Sequence, residues 1–420
     1  MIRRFVLALR TVFVITASLF LLAGLTLPAA SQTFKTLYHF SPTNQEPASP
    51  LAVGSDGSLF GVTSFGGNVA LGTVFQVSPP AVAGGVWTEA VIYNFKGGRD
   101  GSNPFGGLAI DKRGNLYGTT ESGGDLKAPA CASGCGTVFK LTPPSNPGEP
   151  WTKIILHSFT NVSGDGAVPF GRLLVDANGI IYGTTSAGGQ YGGGIVFRLK
   201  KRGSTYVESV LYGFGGFPGD AGGPQYGVTI DAAGNIFGST AYLGLYTFGA
   251  AYELTPPTSG NTWKETILYN FGGTADGPYI PAGEPVLDAS GDFFGTASQG
   301  GGGLNGGTIY ELTPPAAGQT AWQYVALFDY TLYHNGYSPQ GLVFNPATGS
   351  YLGTTTYGGP PNSCGSAYQL SPPGADGQWQ YDVIHSFTGS DGCLGTGVLV
   401  PDLAGNYYGM TNDTVFEITP

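Results

Sequence analysis

The sequence predicts an all-β fold, a seven-bladed β-propeller, and three observations support this. A short aromatic-led segment recurs seven times, from residues 34–40 to residues 379–387, with a period of about 58 residues. All five Trp residues stand at the first position of this segment. Each repeat also contains three further β-type runs, and helical spacing of apolar residues is absent. Four-stranded units repeated around an axis are the blades of a propeller.

The four strands of a repeat are assigned from the second copy. Strand A covers residues 107–111, strand B residues 115–120, strand C residues 136–142 and strand D residues 151–159. The small residues of strand A suit the crowded centre of a ring, whereas the Trp-led strand D suits its wide rim. Asp111 and Gly114 predict a hairpin turn between A and B, because Asp bonds the backbone two residues on and Gly accepts a positive φ.

This phase predicts how the ring closes. The chain then has a lone D strand at residues 34–40 and a lone A-B-C set at residues 398–420. The two fragments complete the last blade, so we expect residues 34–40 to pair with residues 414–419. Residues 32–420 are therefore predicted to form a single propeller domain.

Residues 1–31 have the order of a secretory signal peptide. Arg3, Arg4 and Arg10 precede an uncharged run over residues 11–27, and the small residues 29–31 follow. An uncleaved membrane anchor is the alternative, because the run is close to the lower length limit for spanning. The sequence predicts a secreted, cell-surface or periplasmic protein with no membrane segment after cleavage.

Composition narrows the possible partners. The chain has 72 Gly, 30 Pro and only 10% charged residues, with a net charge of −10. Loss of residues 1–31 removes three Arg and leaves 27 acidic against 14 basic residues, or −13. Such a charge disfavours nucleic acid and anionic membranes. We expect a monomer with an extracellular glycan, peptide or protein as its partner.

Four Cys form an even set in a chain predicted to be exported, which favours disulfides. Cys131 and Cys135 lie close together in one loop. Cys364 lies in the B-to-C loop of the sixth blade and Cys393 in the D-to-A loop that leaves it, and both loops emerge on the same face. We therefore predict the bridges Cys131–Cys135 and Cys364–Cys393.

The repeated motif resembles that of a known family. Residues 116–120 (LYGTT), 122–124 (SGG) and 136–139 (GTVF) are similar to the signature of the GloVer tandem-repeat family of secreted bacterial proteins. This resemblance covers nearly the whole predicted mature chain and implies export and repetition, but no reaction. Many members carry a C-terminal sorting anchor, whereas residues 416–420 offer no apolar tail, so surface anchoring is not expected here.

Two sets of chemically suggestive residues have structural interpretations. His157 and His385 stand at a position of strand D that holds Tyr or Phe in the other copies, which indicates an aromatic position in the strand. One Asp per blade occupies the A-to-B turn, where turn chemistry explains it; these are Asp111, Asp176, Asp231, Asp288 and Asp402. No catalytic residue is predicted.

The predicted ligand-binding residues come from the D-to-A loops. Asp100, Asp165 and Asp391 belong to acidic, Gly-rich loops, which are either turns or a cation site suited to Ca²⁺; no particular metal is specified. A Pro precedes most A strands and directs the next side chains toward the channel mouth. Those side chains differ between blades, as expected of a ligand site; they are Phe105, Phe170, Gln225, Tyr226 and Gln340.

These features predict a secreted, non-enzymatic binding or scaffold propeller that presents a loop-rich face to its partner. The alternative is a secreted hydrolase or lyase acting on glycans, because propellers also carry such enzymes. Non-repeated acidic and aromatic residues clustered at the channel mouth would help to separate the two.

Overall fold

The computed structural model describes residues 32–41, 47–146, 148–273, 277–302, 305–331, 336–359 and 364–420. The predicted signal peptide, residues 1–31, lies outside the described residues. Gln32–Pro420 forms one compact unit. Among the described residues, no helix is long and apolar enough to cross a membrane.

The first half of the described chain contains the strands β1 (Thr33–His39), β2 (Pro47–Val53), β3 (Leu59–Thr63), β4 (Thr73–Ser78), β5 (Thr88–Asn94), β6 (Ala109–Ile110), β7 (Leu116–Thr120), β8 (Thr137–Thr142), β9 (Thr152–Ser158), β10 (Gly166–Ala167), β11 (Leu174–Val175), β12 (Ile181–Thr185), β13 (Ala187–Gly188), β14 (Ile195–Arg202) and β15 (Thr205–Gly213). The second half contains β16 (Ala221–Gly222), β17 (Thr229–Ile230), β18 (Ile236–Ser239), β19 (Tyr242–Leu243), β20 (Ala250–Thr255), β21 (Lys264–Asn270), β22 (Pro278–Leu287), β23 (Phe293–Gly300), β24 (Thr308–Thr313), β25 (Gln323–Asp329), β26 (Tyr337–Asn345), β27 (Ser350–Tyr357), β28 (Ser366–Ser371), β29 (Gln380–Ser386), β30 (Thr396–Pro401), β31 (Tyr407–Met410) and β32 (Thr414–Thr419). A 3₁₀ turn covers Gly98–Asp100.

The strands form a seven-bladed propeller, as predicted, with seven four-stranded antiparallel sheets among the described residues. In every blade the strands follow the order A-B-C-D from the channel outward. Blades 1 to 7 are β2-β3-β4-β5, β6-β7-β8-β9, β11-β12-β14-β15, β17-β18-β20-β21, β22-β23-β24-β25, β26-β27-β28-β29 and β30-β31-β32-β1. Two small additional sheets, β10-β13 and β16-β19, join loops on one face.

The seventh blade joins the two ends of the described unit. Strand β1 pairs antiparallel with β32, from Thr33 opposite Thr419 to His39 opposite Thr414. The backbone N–H of Phe40 continues this pairing by donating to the carbonyl of Asp413 at 2.8 Å. The predicted closure is therefore confirmed, and the ring is held at this point by main-chain hydrogen bonds.

Steric crowding explains why strand B carries a Gly. Gly118 lies directly opposite Phe139 of strand C, and a Cβ on Gly118 would lie 2.6 Å from the Cζ of that ring. The aromatic ring therefore covers the position that a side chain would occupy. A Gly opposite an aromatic residue recurs in the other six blades, which explains why the two motifs repeat together.

The hydrophobic core lies between the blades. Seven clusters of buried residues each combine side chains of two neighbouring blades. In one of them Trp151 of blade 2 packs edge to face on Phe60 of blade 1, with ring centroids 5.7 Å apart. Because each blade buries its apolar surface against its neighbours, a single blade has no complete core of its own.

The A-to-B turns have the predicted chemistry. The backbone N–H groups of Arg113 and Asn115 donate to Asp111 Oδ1 at 2.9 and 3.0 Å, and Gly114 has φ of 75°. The same bonds recur around Asp176, Asp231, Asp288 and Asp402. These carboxylates are occupied by their own turns.

Both predicted disulfides are present. Cys131 and Cys135 are joined with their Cα atoms 5.3 Å apart, and Cys364 and Cys393 with theirs 4.4 Å apart. The first closes a short loop in blade 2. The second links the B-to-C loop of blade 6 to the chain that enters blade 7. Blade 7 is the blade that joins the two ends of the described unit.

Candidate functional site at the channel mouth

A cavity of about 1020 Å³ opens at the channel mouth, on the face that carries the D-to-A and B-to-C loops. It is formed where the chain enters the innermost strands, so several blades contribute to one site. Five predicted ligand residues line it, namely Phe105, Phe170, Gln225, Tyr226 and Gln340. Their placement agrees with the predicted geometry, and their role in binding stays a prediction.

One wall of this cavity is aromatic. Phe105 of blade 2 and Phe170 of blade 3 stack with ring centroids 4.9 Å apart and an interplanar angle of 14°. Tyr226 follows on blade 4, and burial raises the pKa of its hydroxyl. All three side chains are only partly buried, so three consecutive blades each present an aromatic ring to the cavity.

The opposite wall mixes polar groups with apolar side chains such as Phe40, Leu394 and Val398. It comes from blades 6, 7 and 1 and from the loop after β1, and it combines hydroxyl, amide and carboxyl groups with backbone. Its polar members include Ser41, Ser64, Gln340, Thr356, Thr396, Asn412 and Asp413. The cavity therefore has one face suited to apolar contact and another suited to hydrogen bonding.

An ion pair forms the floor of the cavity. Arg172 of blade 3 donates through Nε to Glu284 Oε1 at 3.0 Å and through Nη2 to Glu284 Oε2 at 2.5 Å. The negative charge of Glu284 raises the pKa of Arg172. Two parallel hydrogen bonds of this kind are strong and geometrically specific, so both charges are held in one arrangement.

The blade between these two residues makes room for them. Gly227 of blade 4 occupies the repeat position held by Arg172 and Glu284 in the adjacent blades. A Cβ on Gly227 would lie 2.6 Å from Glu284 Oε1 and 2.7 Å from the carbonyl oxygen of Arg172. The side-chain-free position is therefore required for the pair to span from blade 3 to blade 5.

Below the ion pair the channel is mostly apolar. A second cavity of about 350 Å³ is lined by the A strands and by Arg172 and Glu284 themselves. Its other members include Leu51, Leu108, Leu173, Val228 and Val400. The ion pair thus separates the polar-and-aromatic mouth from an apolar segment of the channel.

The three predicted Asp residues lie elsewhere, at the outer rim near the D strands, and they do not line the mouth cavity. Asp100 accepts from the N–H of Lys96 at 2.8 Å, Asp165 from that of Thr160 at 2.8 Å and Asp391 from that of Thr388 at 2.7 Å. Each carboxylate thus orders its own loop, in agreement with the turn interpretation. Ca²⁺ binding by these loops stays a prediction.

Each of these Asp residues also contacts the aromatic position of strand D, which the sequence analysis missed. The hydroxyl of Tyr93 donates to Asp100 at 2.6 Å, and His385 Nε2 lies 2.7 Å from Asp391. The aromatic assignment of His157 and His385 was therefore incomplete, because the ring also needs a polar atom at its tip. Phe328 stands at this position in one of the two repeats whose D-to-A loop has no Asp, and the other, at residues 40–50, keeps Tyr38.

The titratable side chains that line the mouth offer little acid–base chemistry. Among the described lining residues these are Arg172, Tyr226, Glu284 and Asp413. Both oxygens of Glu284 are occupied by Arg172, and Asp413 accepts a hydrogen bond from Thr411 Oγ1 at 3.0 Å. The raised pKa of Tyr226 keeps its hydroxyl protonated. The described lining residues therefore do not assemble two free carboxyl groups on opposite sides of a bond, which is the arrangement of most glycoside hydrolases.

The chain belongs to a family of repeat proteins. Its sequence matches the Gloeobacter/Verrucomicrobia repeat family over residues 24–223 and 171–417, which confirms the resemblance found from the motif. Among curated proteins no relative matches the sequence.

Solved structures share the propeller fold at low identity. Virginiamycin B lyase from Staphylococcus aureus, in an inactive variant with quinupristin, is 12% identical with a TM-score of 0.54, covering 93% of this chain and 99% of that one. An ulvan lyase from a new polysaccharide lyase family is 13% identical with a TM-score of 0.54, covering 91% and 95%. The extracellular domain of a putative hybrid two-component system from B. thetaiotaomicron is 14% identical with a TM-score of 0.53, covering 93% and 41%. At these identities the similarity establishes the fold alone.

Proposed function

We propose that this protein is a secreted, non-enzymatic binding propeller that holds a neutral oligosaccharide at the channel mouth. The observation that carries the proposal is that the stacked pair Phe105 and Phe170 shares one cavity with hydroxyl and amide groups of the blades opposite. A sugar ring has an apolar C–H face and a rim of hydroxyl groups. The aromatic wall fits the first, and the amide and hydroxyl groups of the opposite wall fit the second.

Charge favours a neutral ligand over an anionic one. The only Arg that lines the cavity in the described residues is Arg172, and its guanidinium is already paired with Glu284. The whole chain is acidic, so an anionic polymer would approach against its net charge. Neutral hydroxyl-rich ligands do not carry this cost.

The test starts with an array of neutral oligosaccharides, anionic oligosaccharides and peptides on the purified protein, followed by calorimetric titration of the best ligand. The double variant Phe170→Ala with Tyr226→Ala should weaken binding at least tenfold, since stacking area is lost, while the melting temperature changes by only a few degrees. Phe217→Ala is the matched control, because this ring is 55% exposed and lies outside the cavity.

Two results would contradict the proposal. One is unchanged affinity in the double variant, which would move the site away from the mouth. The other is turnover of the ligand. New reducing ends would show a hydrolase, and unsaturated sugar products would show a lyase. This alternative is considered because two of the structurally similar proteins are lyases.

A further inference from the structure

An imidazole and two carboxylates meet at the outer rim between blades 2 and 3. His157 lies on β9, Asp165 in the loop that follows it and Glu208 on β15 of the next blade. His157 Nε2 is 3.3 Å from Asp165 Oδ1 and 3.8 Å from Glu208 Oε1. One ligand atom from each residue lies within 4.8 Å of the other two, and this is the one such group among the described residues.

The preceding interface has the same arrangement with a cation built into the chain. Between blades 1 and 2, Asp100 corresponds to Asp165, and Lys153 occupies the repeat position of Glu208. Lys153 Nζ lies 2.9 Å from Asp100 Oδ1 and also donates to the backbone carbonyl of Asp100. Its ammonium group lies over the rings of Tyr93 and Phe95. A positive charge therefore neutralises the loop carboxylate at this interface.

Between blades 2 and 3 that cation is replaced by a second carboxylate. Within the described residues no Lys or Arg forms an ion pair with Asp165 or Glu208, and His157 is their shared partner. Glu208 Oε1 is buried without a hydrogen-bond partner. A buried acceptor left unsatisfied costs free energy, so this interface has a place for a ligand that supplies positive charge.

Asp165 is already oriented for such a ligand. Its Oδ2 accepts from the N–H and hydroxyl of Thr160 at 2.8 and 2.7 Å, and its Oδ1 accepts from the N–H of Gly166 at 2.8 Å. Hydrogen bonds of this kind fix a metal-ligating carboxylate in place. The side chains of His157, Asp165 and Glu208 are 21%, 13% and 15% exposed. An ion from solvent can therefore reach them.

We propose that His157, Asp165 and Glu208 bind a divalent transition metal of the Zn²⁺ class that links blade 2 to blade 3. Ligand atoms about 2.0–2.2 Å from a tetrahedral Zn²⁺ lie about 3.3–3.6 Å apart, close to the two separations measured from His157 Nε2. Imidazole nitrogen favours such metals over Ca²⁺, which prefers oxygen ligands alone. The metal takes the electrostatic role that Lys153 has at the preceding interface.

Every other interface lacks at least one of the three ligands in its sequence. Between blades 3 and 4, Tyr212 replaces the imidazole and donates its hydroxyl to Glu265 at 3.0 Å. At blade 6, His385 contacts Asp391, but Phe34 of the next blade stacks on the imidazole with centroids 3.6 Å apart. The residues found at the equivalent positions of other blades can therefore be used as test substitutions, because the same strand already holds them elsewhere in the ring.

The test is a calorimetric titration of the purified protein with Zn²⁺ and, separately, with Ca²⁺ after removal of metals with EDTA. We expect one Zn²⁺ bound per chain and a melting temperature that rises with Zn²⁺. Glu208→Lys, which copies the residue at position 153, and His157→Tyr, which copies position 212, should each weaken Zn²⁺ binding at least tenfold. His385→Tyr is the control and should bind as the parent protein does.

The metal-free melting temperatures separate loss of ligands from loss of fold. Glu208→Lys should melt at or above the metal-free parent, since it restores the arrangement of the preceding interface, and Zn²⁺ should no longer stabilise it. The proposal is overturned if no saturable Zn²⁺ binding occurs, if binding survives both substitutions, or if Ca²⁺ binds more tightly than Zn²⁺.

Discussion

The channel mouth and the outer rim are built from the same seven repeats, but they use them differently. At the rim, Asp100, Asp165 and Asp391 perform the same task in their own blades, which is to order a loop and contact the end of strand D. At the mouth, corresponding positions hold different residues, such as Gly227 between Arg172 and Glu284. Repeated positions therefore maintain the ring, and positions that differ between repeats create the asymmetric cavity at the mouth.

Removal of β1 should have the largest effect. Deleting residues 32–40 leaves β32 without its partner strand and exposes the cluster that contains Leu37 and Phe40. Because every blade depends on its neighbours, we expect cooperative thermal unfolding to be lost in calorimetry. A chain lacking only residues 1–31 is the control. An unchanged melting transition after the longer deletion would show that closure of the ring does not hold the fold together.

Replacement of Lys153, the cation at the outer rim between blades 1 and 2, should have the second largest effect. Lys153 is 4% exposed and pairs with Asp100, so Lys153→Met leaves a carboxylate that has lost its positive partner. We expect a loss of about 2–4 kcal/mol in the free energy of unfolding, measured with denaturant. Lys140→Met, on the same sheet but without an ion pair among the described residues, should cost less than about 1 kcal/mol. Equal effects of the two substitutions would contradict a structural role for the rim.

A methyl group beneath the mouth should have a smaller effect. In Gly227→Ala the added Cβ overlaps with Glu284 Oε1 and the carbonyl of Arg172, so the ion pair must shift at a cost of about 1–3 kcal/mol. Gly374→Ala is the control, because its nearest atom would lie 3.6 Å away and its φ is not positive. Similar unfolding free energies for both variants would mean that the floor of the mouth is not tightly packed.

The last effect should depend on pH. Burial, assisted by the charge of Asp220, raises the pKa of Glu265 to about 8. A carboxyl whose pKa is raised on folding contributes most below its ordinary pKa and loses that contribution as the pH rises to 8. Glu265→Gln should therefore be more stable than the parent protein at pH 9 and equal to it near pH 4. Melting curves at the two pH values test this, and a pH-independent difference would contradict it.

The repeat pattern predicted the fold well because its signals are local. The turn at Asp111 and the bridge of Cys364 to Cys393 follow from residues within a repeat and from the phase of neighbouring repeats. Closure by β1 followed from the same phase. Each of these features needs only the position of a residue in its blade.

Contacts between different repeat positions were not predictable in the same way. Arg172 and Glu284 are 112 residues apart in sequence and meet only because the ring brings their blades around one channel. The group His157, Asp165 and Glu208 was missed because the imidazole was interpreted as one more aromatic ring. In both cases the available signal was a charged or ligating residue at a position where other copies hold Gly, Tyr or Lys.

The central claim is that the asymmetric mouth, and not the repeated rim, is the oligosaccharide site. The most direct test is a crystal structure of the protein soaked with the best neutral oligosaccharide found on the array. We predict a sugar ring against the Phe105–Phe170 pair, with its hydroxyl groups toward the opposite wall that includes Gln340. An oligosaccharide bound at the outer rim, or on the opposite face beside the A-to-B turns, would contradict the account.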